Sequence, residues 1–395
     1  MKAAIVGTGF MGGAHSEALR RLGIEIAGVL GSGLGKGRAF ASRQGIARAY
    51  GSLDELLADA GVDVVHLCTP NHQHYPAARA AMEAGKHVVC EKPLAMTSAQ
   101  AAGLVSLAEA RQRVGAVCYN LRFYPMNLEA RARIRAGQIG APRILHAEYC
   151  QDWLLWPTDW NWRLEPELGG DVRAVGDIGT HVLDMLQWLT GLKVTEVMAD
   201  MATFIPTRYR PSHPVETFAG KLAPVEDAEA VEIRTEDMAT MLLHLGEGAR
   251  GAVTLSQISA GRKNALWWEI DGSEGSLYWC QERPGELWVG HRDRPNEVLL
   301  KDPALMQPEV RRYAAYPGGH HEGYPDTFVR LFGDVYRHIE RGAPGDNLSF
   351  ATFDDGWREM VLCEAVLASA RERRWVQVQV GPAGQEPVGS GPAAQ

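Results

Sequence analysis

The sequence predicts an α/β protein in two parts: a doubly wound parallel sheet, then an α+β unit built on a mostly antiparallel sheet. Three observations carry this. Short β-rich runs alternate with helical segments from Lys2 to about Asn120, a glycine-rich turn follows the first run, and beyond residue 120 strands succeed one another with few helices between them. Parallel strands need crossover connections, usually helices, so alternation implies a parallel sheet, whereas successive strands joined by turns pair antiparallel.

In the first part the strand-like runs are 2–6, 24–30, a short one near 47–50, 62–68, 87–90 and 115–119. Ser52-Leu53-Asp54-Glu55 and Thr97-Ser98-Ala99-Gln100 read as capping boxes, and Gly23 and Gly85 stand where left-handed helix stops are expected. In the second part a helix at 126–136 leads into runs at 143–149, 194–203, 240–245, 252–258, 266–271, 276–280 and 286–289. Helices at 324–340 and 355–371 follow, then a strand-like 375–380. Residues 381–395 are rich in Gly, Pro and Ala with nothing to bury, and read as a disordered tail. The expected division is therefore 1–120, 121–380 and the tail.

Composition narrows the function classes. A chain of 395 residues with 46% hydrophobic and 22% charged residues is a folded globular protein, not a fibrous or disordered one. Lys and Arg number 40 against 48 Asp and Glu, and the net charge of −8 disfavours nucleic acid or an anionic membrane as principal partner; a small molecule is the better default. Met1 runs straight into the first strand, which leaves no room for a secretory leader, and no apolar run reaches membrane-spanning length, so a cytoplasmic location is expected. The six cysteines lack metal-ligand spacing, so reduced thiols are expected and no metal.

Gly7-Thr8-Gly9-Phe10-Met11-Gly12 is a GxGxxG turn between a strand and a helix. Its glycines permit a tight turn and backbone approach to a pyrophosphate, and the helix N-terminus supplies N–H donors, so a dinucleotide site is expected. The carboxylate that would hold a ribose 2′-hydroxyl after the second strand is missing: the sequence there is Leu30-Gly31-Ser32-Gly33, with Lys36 and Arg38 beyond. Its absence removes repulsion against a 2′-phosphate, which leans the choice toward NADP or dual use; equally, Lys36 and Arg38 are ordinary solvated helix residues.

Thr69-Pro70-Asn71-His72-Gln73-His74 and Glu91-Lys92-Pro93 end the next two parallel strands and face the same crevice as the glycine turn. Lys92 can aim an ammonium at a substrate oxygen. Further on, Asp177, His181 and Asp184 are spaced i, i+4, i+7 on one face of a helix, with Ile178, Val182, Met185 and Leu186 on another. A histidine beside a carboxylate can be fixed in one tautomer and raised in basicity, which suits proton removal; the alternative is a core histidine satisfied by its neighbours. Gly179 inside the helix costs about 1 kcal/mol against Ala and implies close packing there.

The block Trp153 to Arg163, with Trp156, Trp160 and Trp162 among Asp152, Asp159 and Asn161, suits a sugar ring or else forms an aromatic core. Arg262-Lys263-Asn264 is a polyol- or acid-binding turn or an exposed basic one, and Lys36, Arg38, Lys92, Arg163, Arg262 and Lys263 together make a candidate basic pocket. His72, His74, His320 and His321 lack the further ligands of a zinc site.

The GxGxxG turn, Thr69-Pro70-Asn71, Glu91-Lys92-Pro93, Asn120-Leu121-Arg122-Phe123-Tyr124-Pro125 and Asp177-x-Gly-x-His181-x-x-Asp184, in this order, resemble the glucose–fructose oxidoreductase, inositol dehydrogenase and MocA (Gfo/Idh/MocA) family. The resemblance implies a Rossmann domain followed by an α/β domain with a large, mostly antiparallel sheet whose open face makes subunit contacts in a homodimer or homotetramer. It implies catalysis by Lys92, Asp177 and His181. It places NAD or NADP against Gly7, Gly9, Phe10, Met11, Gly12, Ser32, Lys36, Thr69, Pro70, Asn71, His74, Glu91 and Lys92. A sugar or polyol would meet Lys92, Asn120, Arg122, Tyr124, Trp153, Trp162, Arg163, Asp177, His181, Arg262, Lys263 and His320. The expected reaction is hydride transfer between the nicotinamide and a secondary hydroxyl or ketone of a sugar, glycoside or polyol. A redox-assisted glycosidase using transient oxidation, and a cofactor-binding sensor without turnover, are the alternatives.

Overall fold

The computed structural model describes residues 1–212, 227–246, 248–342 and 348–379; the expected tail, 381–395, lies outside them. The first part runs β1 (Lys2–Val6), α1 (Phe10–Arg21), β2 (Glu25–Leu30), α2 (Leu34–Gln44), α3 (Leu53–Ala58), β3 (Val64–Leu67), α4 (His74–Glu83), β4 (His87–Cys90), α5 (Ser98–Arg111) and β5 (Gly115–Val117). These strands pair in parallel in the order β5-β4-β3-β1-β2. Ile5, Val64, Val65 and Val89 are wholly buried, as strands covered by helices on both faces require. Ser52 accepts from Glu55 N and Thr97 from Gln100 N, while Gly23 and Gly85 take φ of 71° and 78° at helix ends, in line with their sequence signals. The run at 47–50 yields only a bridge between Ala49 and Val29.

The second part begins with α6 (Pro125–Arg135), β6 (Pro142–Cys150), α7 (Pro166–Gly169) and α8 (Thr180–Thr190). Then come β7 (Val194–Ala202), β8 (Thr207–Pro211), β9 (Ala228–Glu232), β10 (Met238–Leu245), β11 (Ala249–Ser256), β12 (Ala265–Gly272), β13 (Ser276–Cys280), β14 (Glu286–Gly290) and β15 (Glu297–Leu300). It closes with α9 (Tyr324–Arg341), β16 (Ala351–Thr352), α10 (Phe353–Glu372) and β17 (Val376–Gln377). Among the described residues one nine-stranded sheet has the order β15-β14-β13-β12-β6-β11-β10-β7-β17, antiparallel except where β6 lies parallel to β11. Leu145, Ala147, Met241, Leu243, Trp268 and Ile270 turn inward into the same hydrophobic core as Val182 and Leu186 of α8, while Ile144 and Leu242 stay exposed. β8 and β9, which pair with each other, are short and mostly exposed or half-exposed and so give no hydrophobic alternation to read.

Two findings change the sequence picture. The helix carrying the Asp/His motif is not α-helical throughout: 175–179 form a π-helical turn before α8. A wider turn breaks the i, i+4, i+7 alignment, so Asp177 and Asp184 do not share a face as expected. The parallel sheet is also not built from residues 1–120 alone. β16 pairs antiparallel with β5, Ala351 opposite Val117, and α10 packs on α5 where Glu364 accepts from Ser98 N and Oγ at 2.7 and 2.6 Å. No helix among the described residues is long and apolar enough to cross a membrane.

Candidate active site

The glycine turn divides its work among three positions. Gly7, at φ +113°, lies in the region favourable to glycine, and a side chain there would strike Cys68 O at 2.4 Å. One on Gly12 would meet Gly7 O at 2.2 Å, so α1 packs directly onto the turn. A Cβ on Gly9 meets nothing within 4 Å: the space above the N-terminus of α1 is open, where a pyrophosphate would take the first N–H groups. The residues present therefore fit a dinucleotide. Gly9→Val is expected to leave the melting temperature within about 1 °C, its backbone being extended and unobstructed, while weakening NADH binding at least ~10-fold; fluorescence titration checks this.

Lys92, just past β4, reaches across to the π-helical turn. Its Nζ donates to Asp177 O at 2.6 Å and Oδ1 at 2.7 Å. Asp177 also receives Arg163 Nε at 3.0 Å and, on Oδ2, Gln257 Nε2 at 2.9 Å. Burial alone would raise the Asp177 carboxyl, but the charges of Arg163 and Lys92 outweigh it and hold it well below the usual carboxylate range. Of the three Lys92 N–H bonds Asp177 engages two, which leaves one for a substrate oxygen.

His181 stands on the first turn of α8, buried, its Nδ1 without a hydrogen-bond partner, with the Tyr119 ring 5.7 Å away edge-on. The expected rise in basicity is not found. Burial, and then the Lys92 ammonium, push His181 down to about 3, and Glu91 and Asp177 offset this only in part. The imidazole is neutral at neutral pH and thus in the proton-accepting form. Because its folded value lies below the unfolded ~6.5, its contribution to stability is complete above that pH and is lost as pH falls toward 3. Gly179 is explained as expected by close packing: a Cβ would meet Leu255 Cδ1 at 2.7 Å.

The other expected site residues divide. Phe10 is exposed at the start of α1, Met11 is half-buried with its sulfur 3.9 Å from the Tyr324 hydroxyl, and Ser32 and Lys36 are exposed just beyond β2. Thr69 Oγ1 is buried without a partner, and Pro70 is half-buried beside it. Asn71 Nδ2 donates to Gly169 O at 2.7 Å and so ties the first part to the second. Trp162 lies under the Arg163 guanidinium at 4.4 Å.

Several expectations are corrected. His74 is fully buried between Pro93 O and Thr69 O, a brace for two loops. Glu91 turns into the core toward His15, and Asn120 Nδ2 donates to Thr327 Oγ1. Arg122 is locked in a buried two-pronged ion pair with Asp184. Tyr124 is buried against Trp279, and Trp153 is core with Leu154, Leu164 and Ile233, its indole N–H given to Gln151. Arg262 pairs with Glu282 and Lys263 with Asp152, while the exposed His320 meets Gly318 O. Lys92 and Arg163 share the one carboxylate of Asp177, so the cations of the expected basic pocket are paired in different places, while Lys36 and Arg38 stay exposed on α2.

Sequence reading missed Gln257, which is fully buried and shares an inward face with Val253 and Leu255. Its place in the inward alternation of Val253 and Leu255, one residue past the end of β11, was its signal. It also missed the cluster in which Asp237 holds Arg173 and Arg208, all wholly buried.

Residues 1–119 match the oxidoreductase family with an NAD-binding Rossmann fold, and residues 127–278 match the GFO/IDH/MocA C-terminal domain. The chain belongs to the Gfo/Idh/MocA family. Among Gfo/Idh/MocA relatives, levoglucosan dehydrogenase of Pseudarthrobacter phenanthrenivorans is 29% identical over 405 aligned residues, covering 96% of this chain and 98% of the relative. A levoglucosan dehydrogenase solved with NADH and levoglucosan is 28% identical with a TM-score of 0.85, over 96% of this chain and 99% of that one. An NAD-binding oxidoreductase from Klebsiella pneumoniae is 32% identical with a TM-score of 0.85, over 96% of this chain and 100% of that one. The chain is an oxidoreductase with an NAD-binding domain.

Proposed function

We propose that the chain is a nicotinamide-dependent dehydrogenase that oxidises a secondary hydroxyl of a sugar, anhydrosugar, glycoside or polyol. The observation that carries this is the ion pair between Lys92 of the parallel-sheet part and Asp177 of the second part, with neutral His181 one turn beyond. A bound nicotinamide dinucleotide supplies the hydride acceptor. The third Lys92 N–H binds the substrate oxygen and stabilises it as it loses its proton. His181 takes that proton, a step its neutral imidazole is free to make. Asp177, held by Arg163 and Gln257 as well, keeps the ammonium in place. The relatives' names favour a rigid sugar ring as substrate, and Trp162 beside Arg163 offers an aromatic face for one.

For the cofactor we propose tolerance of NADP alongside NAD, because no acidic residue stands in the first turn of α2 and Lys36 is exposed there. Lys36→Ala is expected to raise KM for NADP about 5- to 10-fold and leave that for NAD within ~2-fold. The reading as a whole is tested by incubating the protein with levoglucosan, inositols, aldoses and nitrophenyl glycosides, with NAD and NADP separately. Stoichiometric nicotinamide reduction is expected; aglycone release without net reduction would establish the glycosidase route instead.

A further inference from the structure

Behind the Lys92–Asp177 pair runs a chain of buried polar groups that the proposed reaction does not use. Glu91, the residue before Lys92, meets His15 Nε2 at 3.1 Å; His15 Nδ1 meets His66 Nδ1 at 3.0 Å; His66 Nε2 meets the Tyr336 hydroxyl at 3.0 Å. His15 and His66 are 0% exposed and Tyr336 4%. The Phe332 ring walls both histidines at 4.7 and 4.8 Å, and α1, β3, β4 and α9 frame the chain.

Hydrogen-bond chemistry limits where the protons sit. Burial would raise the Glu91 carboxyl, but the His15 hydrogen bond and the neighbouring Lys92 ammonium outweigh it, so Glu91 lies below the usual range. A carboxylate only accepts, so His15 Nε2 carries a proton. Burial and the neighbouring His15 hold His66 neutral, with a single N–H. If that proton is on Nδ1, it is given to His15, and Tyr336 donates to Nε2; if it is on Nε2, both bonds reverse.

The other titratable groups facing the pair are Lys92, His181, Cys68, Cys90, Cys118 and Tyr324. Burial raises the three thiols and Tyr324, so they stay neutral, and His181 is neutral too. Cys118 lies near enough to complete a trio of metal-capable atoms with His15 and Glu91, but those two are already satisfied by each other.

We propose that His15, His66 and Tyr336 are positioning residues of the Lys92 site: through their hydrogen-bond chain they hold the Glu91 carboxylate beside Lys92 and His181 and so fix the charge those two groups feel. The role rests on the dehydrogenase reading. In the holoenzyme, His15→Leu is expected to lower kcat/KM about 10-fold at pH 7 and move its acid limb up by about one pH unit, because Glu91 then keeps its proton to higher pH. His15→Gln, which retains an N–H toward Glu91, is expected to restore most of this, and Tyr336→Phe to move the limb the same way by less. Long-range ¹⁵N spectra of histidine-labelled protein are expected to show His66 as a neutral imidazole held in one tautomer. Unmoved pH profiles in variants that merely melt lower, or a His66 that titrates as an ordinary imidazole, would overturn the proposal. Absence of sugar or polyol turnover in the wild type would overturn the dehydrogenase reading instead, and the role with it.

Discussion

Lys92→Met is expected to lower kcat/KM for sugar oxidation about 10³-fold, roughly 4 kcal/mol of transition-state stabilisation. The loss should fall mostly on kcat, since the ammonium matters most when the substrate oxygen bears charge. The fold should survive, because Asp177 keeps Arg163 at 3.0 Å and Gln257 at 2.9 Å after Lys92 is gone. NADH affinity should stay within ~3-fold, as the pyrophosphate cradle lies on the glycine turn and α1. Steady-state kinetics with an NADH titration on the same preparation checks this. A variant that retains more than about a tenth of wild-type kcat/KM would remove Lys92 from the chemistry.

The largest effect on stability is expected at Asp237. It holds the buried guanidiniums of Arg173 and Arg208 and accepts from Phe204 N at 2.7 Å and Ile205 N at 2.9 Å. Asp237→Ala leaves two buried cations and two backbone donors without their acceptor, a loss of about 3–5 kcal/mol. For a chain of this size that corresponds to a melting temperature lower by about 4–6 °C. Activity should suffer as well. Arg173 N and Val175 N are anchored to neighbouring Glu236, in the segment that leads into Asp177, while Arg208 fastens Leu154 O and Trp156 O of the aromatic loop. Thermal unfolding followed by circular dichroism decides it, and a shift below ~2 °C would show that the two arginines find other partners.

What the sequence revealed and concealed divides along physical lines. The parallel sheet was legible because its strands are apolar on both faces and its helices carry caps, signals that lie within a few residues of each other. The meeting of Lys92 with Asp177 was within reach because both motifs end at one crevice. The partners of charged groups were not. Arg122 with Asp184, and Arg173 and Arg208 with Asp237, join residues far apart in the chain, where spacing carries no information. The π-helical turn at 175–179 defeated the helical-face argument, since an extra residue in one turn leaves no compositional trace. Trp153 looked like a sugar platform because tryptophan serves cores and binding faces equally well, and only its burial separates the two.

The pairing of β16 with β5 also bears on how the protein is made. The first five strands leave the ribosome well before Ala351 and Thr352, so for most of synthesis β5 is an open edge, a template for pairing with a neighbouring nascent chain. The sheet of the N-terminal part is therefore completed only by a segment from the far end of the chain. Closure of its sheet waits on the same late segment that leads into α10, so the edge beside β5 is covered only near the end of translation.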